Sequence, residues 1–214
     1  MKAADVRGLY EEIANSVTHG IGLGLSTGAV SALIYNIMDD ADPWRLWSAV
    51  AYGASIILMF ASSTAYHGVQ IQPIKHALRI FDHCTIYLMI GGTMSPFILN
   101  HARDSVGLSM LAGVWALSLG GVVYKICFFG HSELISVISY FVIAALGVFG
   151  SIPMLDHVPL PGVLWLVGGL FVYTAGVYFY VNDDRPFYHT VWHLFVIAGV
   201  ACHFVAISMY VIPT

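Results

Sequence analysis

Seven long stretches of this chain carry almost no charge, and nothing limits its fold more. They run over about 20–38, 46–66, 80–99, 105–124, 134–155, 158–181 and 189–212, separated by the polar turns DDADPWR, QIQPIKH, NHARD, KICFFGHSE, LDHVPLP and VNDDRP. A helix needs about 20 apolar residues to cross the hydrocarbon core, and a lone segment in lipid satisfies its backbone groups only as a helix. The pattern predicts an all-α fold, a bundle of seven transmembrane helices. None of the turns is long enough to hold a further domain, so residues 1–214 are expected to form a single integral membrane domain. Composition agrees: 58% of residues are hydrophobic and 9% charged, against about 25% charged in an ordinary soluble domain.

The net charge of −4 is scattered, with no basic run and no acidic tail, which sets nucleic-acid binding aside. Cys84, Cys127 and Cys202 stand far apart without Cys-x-x-Cys spacing. Neither a disulfide framework nor a thiolate zinc site is indicated, and the three are expected to be buried small hydrophobes. The opening MKAADVRGLYEEIANSVTHG lacks the apolar core and small-residue cleavage site of a secretory signal. Gly20, Gly22, Gly24 and Gly28 in the first run and Gly91 and Gly92 in the third suit close helix packing in lipid. No internal repeat of the inverted-transporter kind is evident.

Orientation follows from the basic residues. With seven spans, one side holds Lys2, Arg7, Lys75, Arg79, Lys125 and Arg185, and the other only Arg45 and Arg103. This asymmetry predicts a cytoplasmic N-terminus and a C-terminus outside.

On that topology several ionisable residues converge. The second span ends on the cytoplasmic side with Ser63 and His67 four apart, the third starts there with Asp82 and His83, and the seventh starts there with His189 and His193. Residues i and i+4 share a helix face, and ionisable groups inside a membrane are costly and usually face the bundle interior, paired or liganded. Three neutral imidazoles with an open fourth position suit catalytic Zn²⁺. His67, His189 and His193 are therefore assigned as metal ligands. Asp82 is expected to bind the ion directly or to hold its water and act as general base. Ser63 can hydrogen-bond that water or a developing oxyanion, or simply bond back to a helix carbonyl.

The remaining histidines have plainer readings. His19, after Glu12, Asn15 and Thr18, fits a capping network at the start of the first helix, with a supporting role at the metal as the alternative. His83 points about 100° away from Asp82 on an ideal helix. His203 lies too deep to share the ion, and His76, His101, His131 and His157 fall in turns facing water or headgroups.

These motifs, Glu12-x-x-Asn15-x-x-Thr18-His19, Ser63-x-x-x-His67, FDHCTIYLMIGGTMSPF with Asp82, and His189-x-x-x-His193, run over nearly the whole chain. In their order the chain resembles the hemolysin III group of the progestin and adipoQ receptor family, which includes the adiponectin receptors and is distantly related to the alkaline ceramidases. The short termini resemble the compact bacterial form, where Cys84 often is serine. The resemblance implies a seven-helix bundle with zinc near the cytoplasmic face, held by His67, His189 and His193, with Asp82 beside it through a water.

The leading expectation is a zinc-dependent hydrolase of a lipid amide or ester in a bacterial inner membrane, with membrane lipid as substrate. The alternative is a non-enzymatic regulator or sensor of membrane state in which zinc is structural. In either case lysis of other cells would arise indirectly, since seven apolar helices offer no wide aqueous lining.

Overall fold

A computed structural model describes residues 3–150 and 157–212. Lys2 and residues 151–156, where the fifth apolar run ends, lie outside the described residues. Seven α-helices follow one another: α1 (Ala3–Ile37), α2 (Pro43–Gly68), α3 (Gln72–His101), α4 (Ser105–Cys127), α5 (Glu133–Gly150), α6 (Leu160–Tyr180) and α7 (Tyr188–Ala206), which runs on as a π-helical turn over Ile207–Val211. There is no strand among the described residues. Five helices are long and apolar enough to cross a membrane: Arg7–Ile37, α2, α4, α6 and Tyr188–Val211. The other two are α5, described as far as Gly150, and α3, which carries Lys75, Arg79 and Asp82 in its first turns and Thr93, Ser95, Pro96 and Asn100 in its later ones.

Helix boundaries follow local chemistry. Asp42 caps α2 by accepting the Trp44 N–H at 3.1 Å, with Pro43 at the first helical position, where its missing donor costs nothing. Asp104 caps α4 through the Gly107 N–H at 2.7 Å. The Asp42 carboxylate also pairs with Arg103 at 2.7 Å, tying the α1–α2 turn to the α3–α4 turn. That guanidinium holds the exposed Asp42 carboxyl below the ordinary aspartate range. At the other end of the bundle Phe187, just before α7, has φ 60°, a left-handed conformation uncommon for a bulky residue. It turns the chain directly into the helix whose second residue is His189.

Packing is most extensive between α2 and α3, α6 and α7, and α1 and α2, and α7 returns to α1 to close the bundle. α5 rests on α4 and α3. The interior is built on α2 and α3, where Tyr52, Ile56, Phe60, Tyr87, Phe97 and Ile98 are fully buried. Large apolar side chains such as Tyr35, Leu134 and Phe171 instead stand on the outside, the arrangement that a lipid solvent permits and water penalises.

Three expectations are revised. α1 begins at Ala3 rather than near residue 20, because Glu12, Asn15 and Thr18 find partners inside the bundle and the helix tolerates them. Of the first-run glycines only Gly20 and Gly22 touch a neighbour, Thr64 and Phe60 respectively, while Gly24 and Gly28 face open space. Cys84 is buried, but Cys202 is half-buried and Cys127 exposed, and all three are free thiols.

Gly92 is a position where close approach requires glycine. A Cβ there would overlap Ser55 Oγ and lie 3.1 Å from the Ala51 carbonyl oxygen on α2. Gly92→Ala is expected to destabilise the protein by about 1–3 kcal/mol through overpacking of α2 against α3, seen as a lower melting temperature in detergent. Gly24→Ala serves as the neutral comparison.

Candidate metal centre

Two helices bring three imidazoles to one end of the bundle. His67 is the second-last residue of α2, and His189 and His193 occupy the first turns of α7, one turn apart on one face. Their ring centroids lie 5.2 Å (His67 to His189), 5.1 Å (His67 to His193) and 4.7 Å (His189 to His193) apart. One ligand atom from each falls within 4.8 Å of the others, a grouping that can hold a metal ion.

Two of the rings are held from behind at Nδ1, and the third faces a carboxylate there. His67 Nδ1 donates to Glu12 Oε2 at 3.2 Å, and Lys75 Nζ donates to the same oxygen at 2.6 Å. His193 Nδ1 donates to the Asn15 carbonyl at 3.2 Å and lies 3.3 Å from Thr18 Oγ1. His189 Nδ1 lies 3.7 Å from Asp183 Oδ2 in the α6–α7 turn, and this imidazole holds the Asp183 carboxyl below its ordinary range. A proton fixed on Nδ1 leaves the lone pair on Nε2, the pattern by which outer partners prepare a histidine for a metal. Consistent with that, the His67 Nε2 is buried with no hydrogen-bond partner, a costly state for a polar atom unless something binds it.

Asp82 lines the same cavity as His189 and His193. Ser62 Oγ stands 3.5 Å from its Oδ1. Ser63 Oγ, almost fully buried, approaches Asp82 without reaching hydrogen-bond geometry and makes no bond back to its own helix. The back-bonding serine is Ser62, which donates to the Met59 carbonyl at 2.9 Å.

His19 is not a cap. It sits in the middle of α1, stacked on His193 at 3.5 Å with an interplanar angle of 12° and edge-on to Phe60. It lines the cavity. His101 likewise is not simply solvated, since its ring bonds the Val211 carbonyl at 3.0 Å. Glu12 and Asn15, expected in a capping network, instead brace His67 and His193, and Lys75 holds Glu12. For Glu12 and Asn15 the signal was the spacing 12, 15, 18, 19, which places the four α1 side chains on one helical face; Lys75, on α3, carried no such signal.

The cavity is about 150 Å³. From Ser63, Asp82 and His193 it continues past apolar side chains of α3, α5, α6 and α7, among them Ile90, Val137, Phe141, Leu170 and Val196. A multi-pass helical membrane protein whose helix ends gather three histidines over an apolar cavity is the class that this fold and site define.

The comparisons with known proteins agree. Residues 8–204 match the family described as Haemolysin-III related, and the chain belongs to that family. It is 36% identical to Hemolysin-3 homolog of Bacillus subtilis (strain 168), covering 94% of this chain and 95% of the relative. It is 34% identical to Hemolysin-3 of Bacillus cereus, covering 95% and 93%. Monocyte to macrophage differentiation factor of Homo sapiens is a more distant relative, 28% identical over 94% of this chain and 84% of its own length.

Proposed function

We propose that this protein is a zinc-dependent hydrolase of a lipid amide or ester, built as one seven-span domain over 1–214 with its N-terminus in the cytoplasm of a bacterial cell and its bundle in the inner membrane. The observation that carries the reading is the cavity, which joins the histidine cluster to an apolar space between α3, α5, α6 and α7. A purely structural zinc site is normally closed by four protein ligands. Here three imidazoles come together, and Asp82 and Ser63 line the cavity next to them.

The donor set fits the metal, because nitrogen ligands in threes with braced Nδ1 atoms suit Zn²⁺. When bound, zinc would supply Lewis acidity to the scissile carbonyl and a hydrolytic nucleophile at neutral pH. The remaining work falls to the protein. The apolar walls hold the acyl chain so that its carbonyl rests at the cluster, which converts an encounter into a positioned reaction. They also keep bulk water from the reacting bond. Asp82 accepts a proton as the nucleophile adds and returns it to the departing amine or alcohol. Ser63 Oγ–H is free to donate to the oxygen on which charge develops.

α5 packs on α4 and α3 while α6 packs on α7, and both line the cavity. The seam between them is the route by which a lipid would reach the site from the bilayer. The name Hemolysin-3 carried by relatives is accommodated as a consequence of altered lipid rather than of a pore.

The test is release of fatty acid from a panel of lipid amides and esters by purified protein. Asp82→Asn is expected to lower the rate about 10²- to 10⁴-fold, the usual worth of a general base, with bound zinc unchanged. Hydrolysis is abandoned if the unmodified protein releases nothing from any lipid, or if Asp82→Asn works as fast as its parent.

A further inference from the structure

Far from the histidine cluster the cavity has a second polar end, and the proposed catalysis makes no use of it. His203, on α7, is buried and lines the cavity. Its Nε2 donates to the Leu166 carbonyl on α6 at 3.1 Å. That bond fixes the proton on Nε2, which leaves Nδ1 as an acceptor. The place for the ring is built in: Gly169 on α6 has no side chain where His203 sits, and a Cβ there would overlap the imidazole. Tyr173 meets the ring edge-on at 5.3 Å and lines the cavity too. Thr93 of α3, also buried, adds a hydroxyl to the lining.

Helical rise puts these groups at a common depth. His203 is ten residues beyond His193 and Thr93 eleven beyond Asp82, so each lies about 15 Å deeper along its helix than the site. A histidine at that depth is expensive unless it is used. The bond to Leu166 uses only one of its two nitrogens.

We propose that this end of the cavity is a hydroxyl-binding subsite, and that the preferred ligand is a lipid whose acyl chain carries a mid-chain hydroxyl. The inference deepens the lipid reading of the cavity and rests on it. With C–C bonds of about 1.5 Å, a separation of about 15 Å takes roughly ten to twelve carbons of extended chain. The ligand hydroxyl donates to His203 Nδ1 and accepts from Thr93 Oγ1. An anion is disfavoured there, because a neutral imidazole holding its proton on Leu166 offers no positive charge.

The experiment needs only binding. Purified protein in lipid nanodiscs is loaded with radiolabelled stearate and competed with stearate, a mid-chain hydroxystearate, or the isomer whose hydroxyl adjoins the carboxylate. The mid-chain isomer is expected to compete about fivefold better than stearate, the worth of one buried hydrogen bond, and the other isomer no better than stearate. His203→Leu, and independently Thr93→Val in case the first variant folds poorly, are expected to shrink that preference towards unity while stearate still binds. If the unmodified protein ranks all three alike, or both variants keep the full preference, the subsite is overturned and His203 is only a brace between α6 and α7. If no fatty acid binds at all, the lipid reading of the cavity falls and the subsite with it.

Discussion

His193→Ala is expected to take bound zinc from about one ion per chain to background, measured by elemental analysis after purification without added metal. His193 is almost wholly buried, backed by the Asn15 carbonyl and stacked under His19. Its ring is therefore positioned before any metal arrives, and no further described histidine joins the three-imidazole grouping. His19 is nearest, but it lies flat against His193, so it presents its face to that ring. Two remaining imidazoles make a poor zinc site, since structural and catalytic sites use three or four protein ligands. The same substitution should uncouple stability from metal. A ligand that binds only the folded state stabilises it by about 4 kcal/mol at a thousand times its Kd, so a strong chelator should lower the melting temperature of the unmodified protein and leave that of His193→Ala almost unmoved. Full zinc occupancy in the variant would remove His193 from the ligand set, and a chelator response equal to the parent's would show that the ion is bound elsewhere.

How much of this was legible in the chain differs by kind of feature. The all-helical class and the helix positions were legible because lipid imposes long apolar runs, and α2, α4, α6 and α7 start and stop within a few residues of those runs. The meeting of His67, His189 and His193, with Asp82 lining the same cavity, was legible because each stands near the end of an apolar run and successive helices run in opposite directions. Asp82 helped by being the lone Asp, Glu, Lys or Arg inside any of the seven runs. What could not be read was the bracing. Glu12 meets His67 and Lys75 across 55 and 63 residues of chain, and such contacts depend on how α1 is rotated against α2 and α3. The same limit hid the first turns of α1: a hydropathy run ends at a glutamate whether or not that glutamate has partners waiting inside. His19 was misplaced for this reason, since a helix thought to begin near residue 20 makes a capping residue of a side chain that in fact sits in mid-helix. The cavity's deep end was hidden differently. His203 is visible in the sequence, but its meaning depends on Gly169 and Leu166 of another helix.

The bracing residue supports the second large prediction. Glu12→Ala is expected to weaken zinc affinity about 10- to 100-fold, the usual cost of losing an outer partner to a metal-binding histidine, read by competition with a chromogenic chelator. Glu12 Oε2 accepts from both His67 Nδ1 and Lys75 Nζ. Without it the His67 imidazole is free to rotate or to carry its proton on Nε2, the nitrogen that would face the ion. Gross unfolding is not expected, because Lys75 keeps two bonds that cap the end of α2, to the Tyr66 carbonyl at 3.1 Å and the Val69 carbonyl at 3.3 Å. Glu12→Gln separates the two contributions: its amide oxygen still accepts from His67, so affinity should fall less than in Glu12→Ala, while the negative charge that offsets Lys75 is gone. Lys75→Met in turn removes that charge's partner and leaves the His67 contact, so its zinc affinity should stay within a few-fold of the parent. If Glu12→Ala binds zinc as tightly as the parent, the carboxylate merely packs against His67, and the orientation of that ring must come from the closing of α7 on α1.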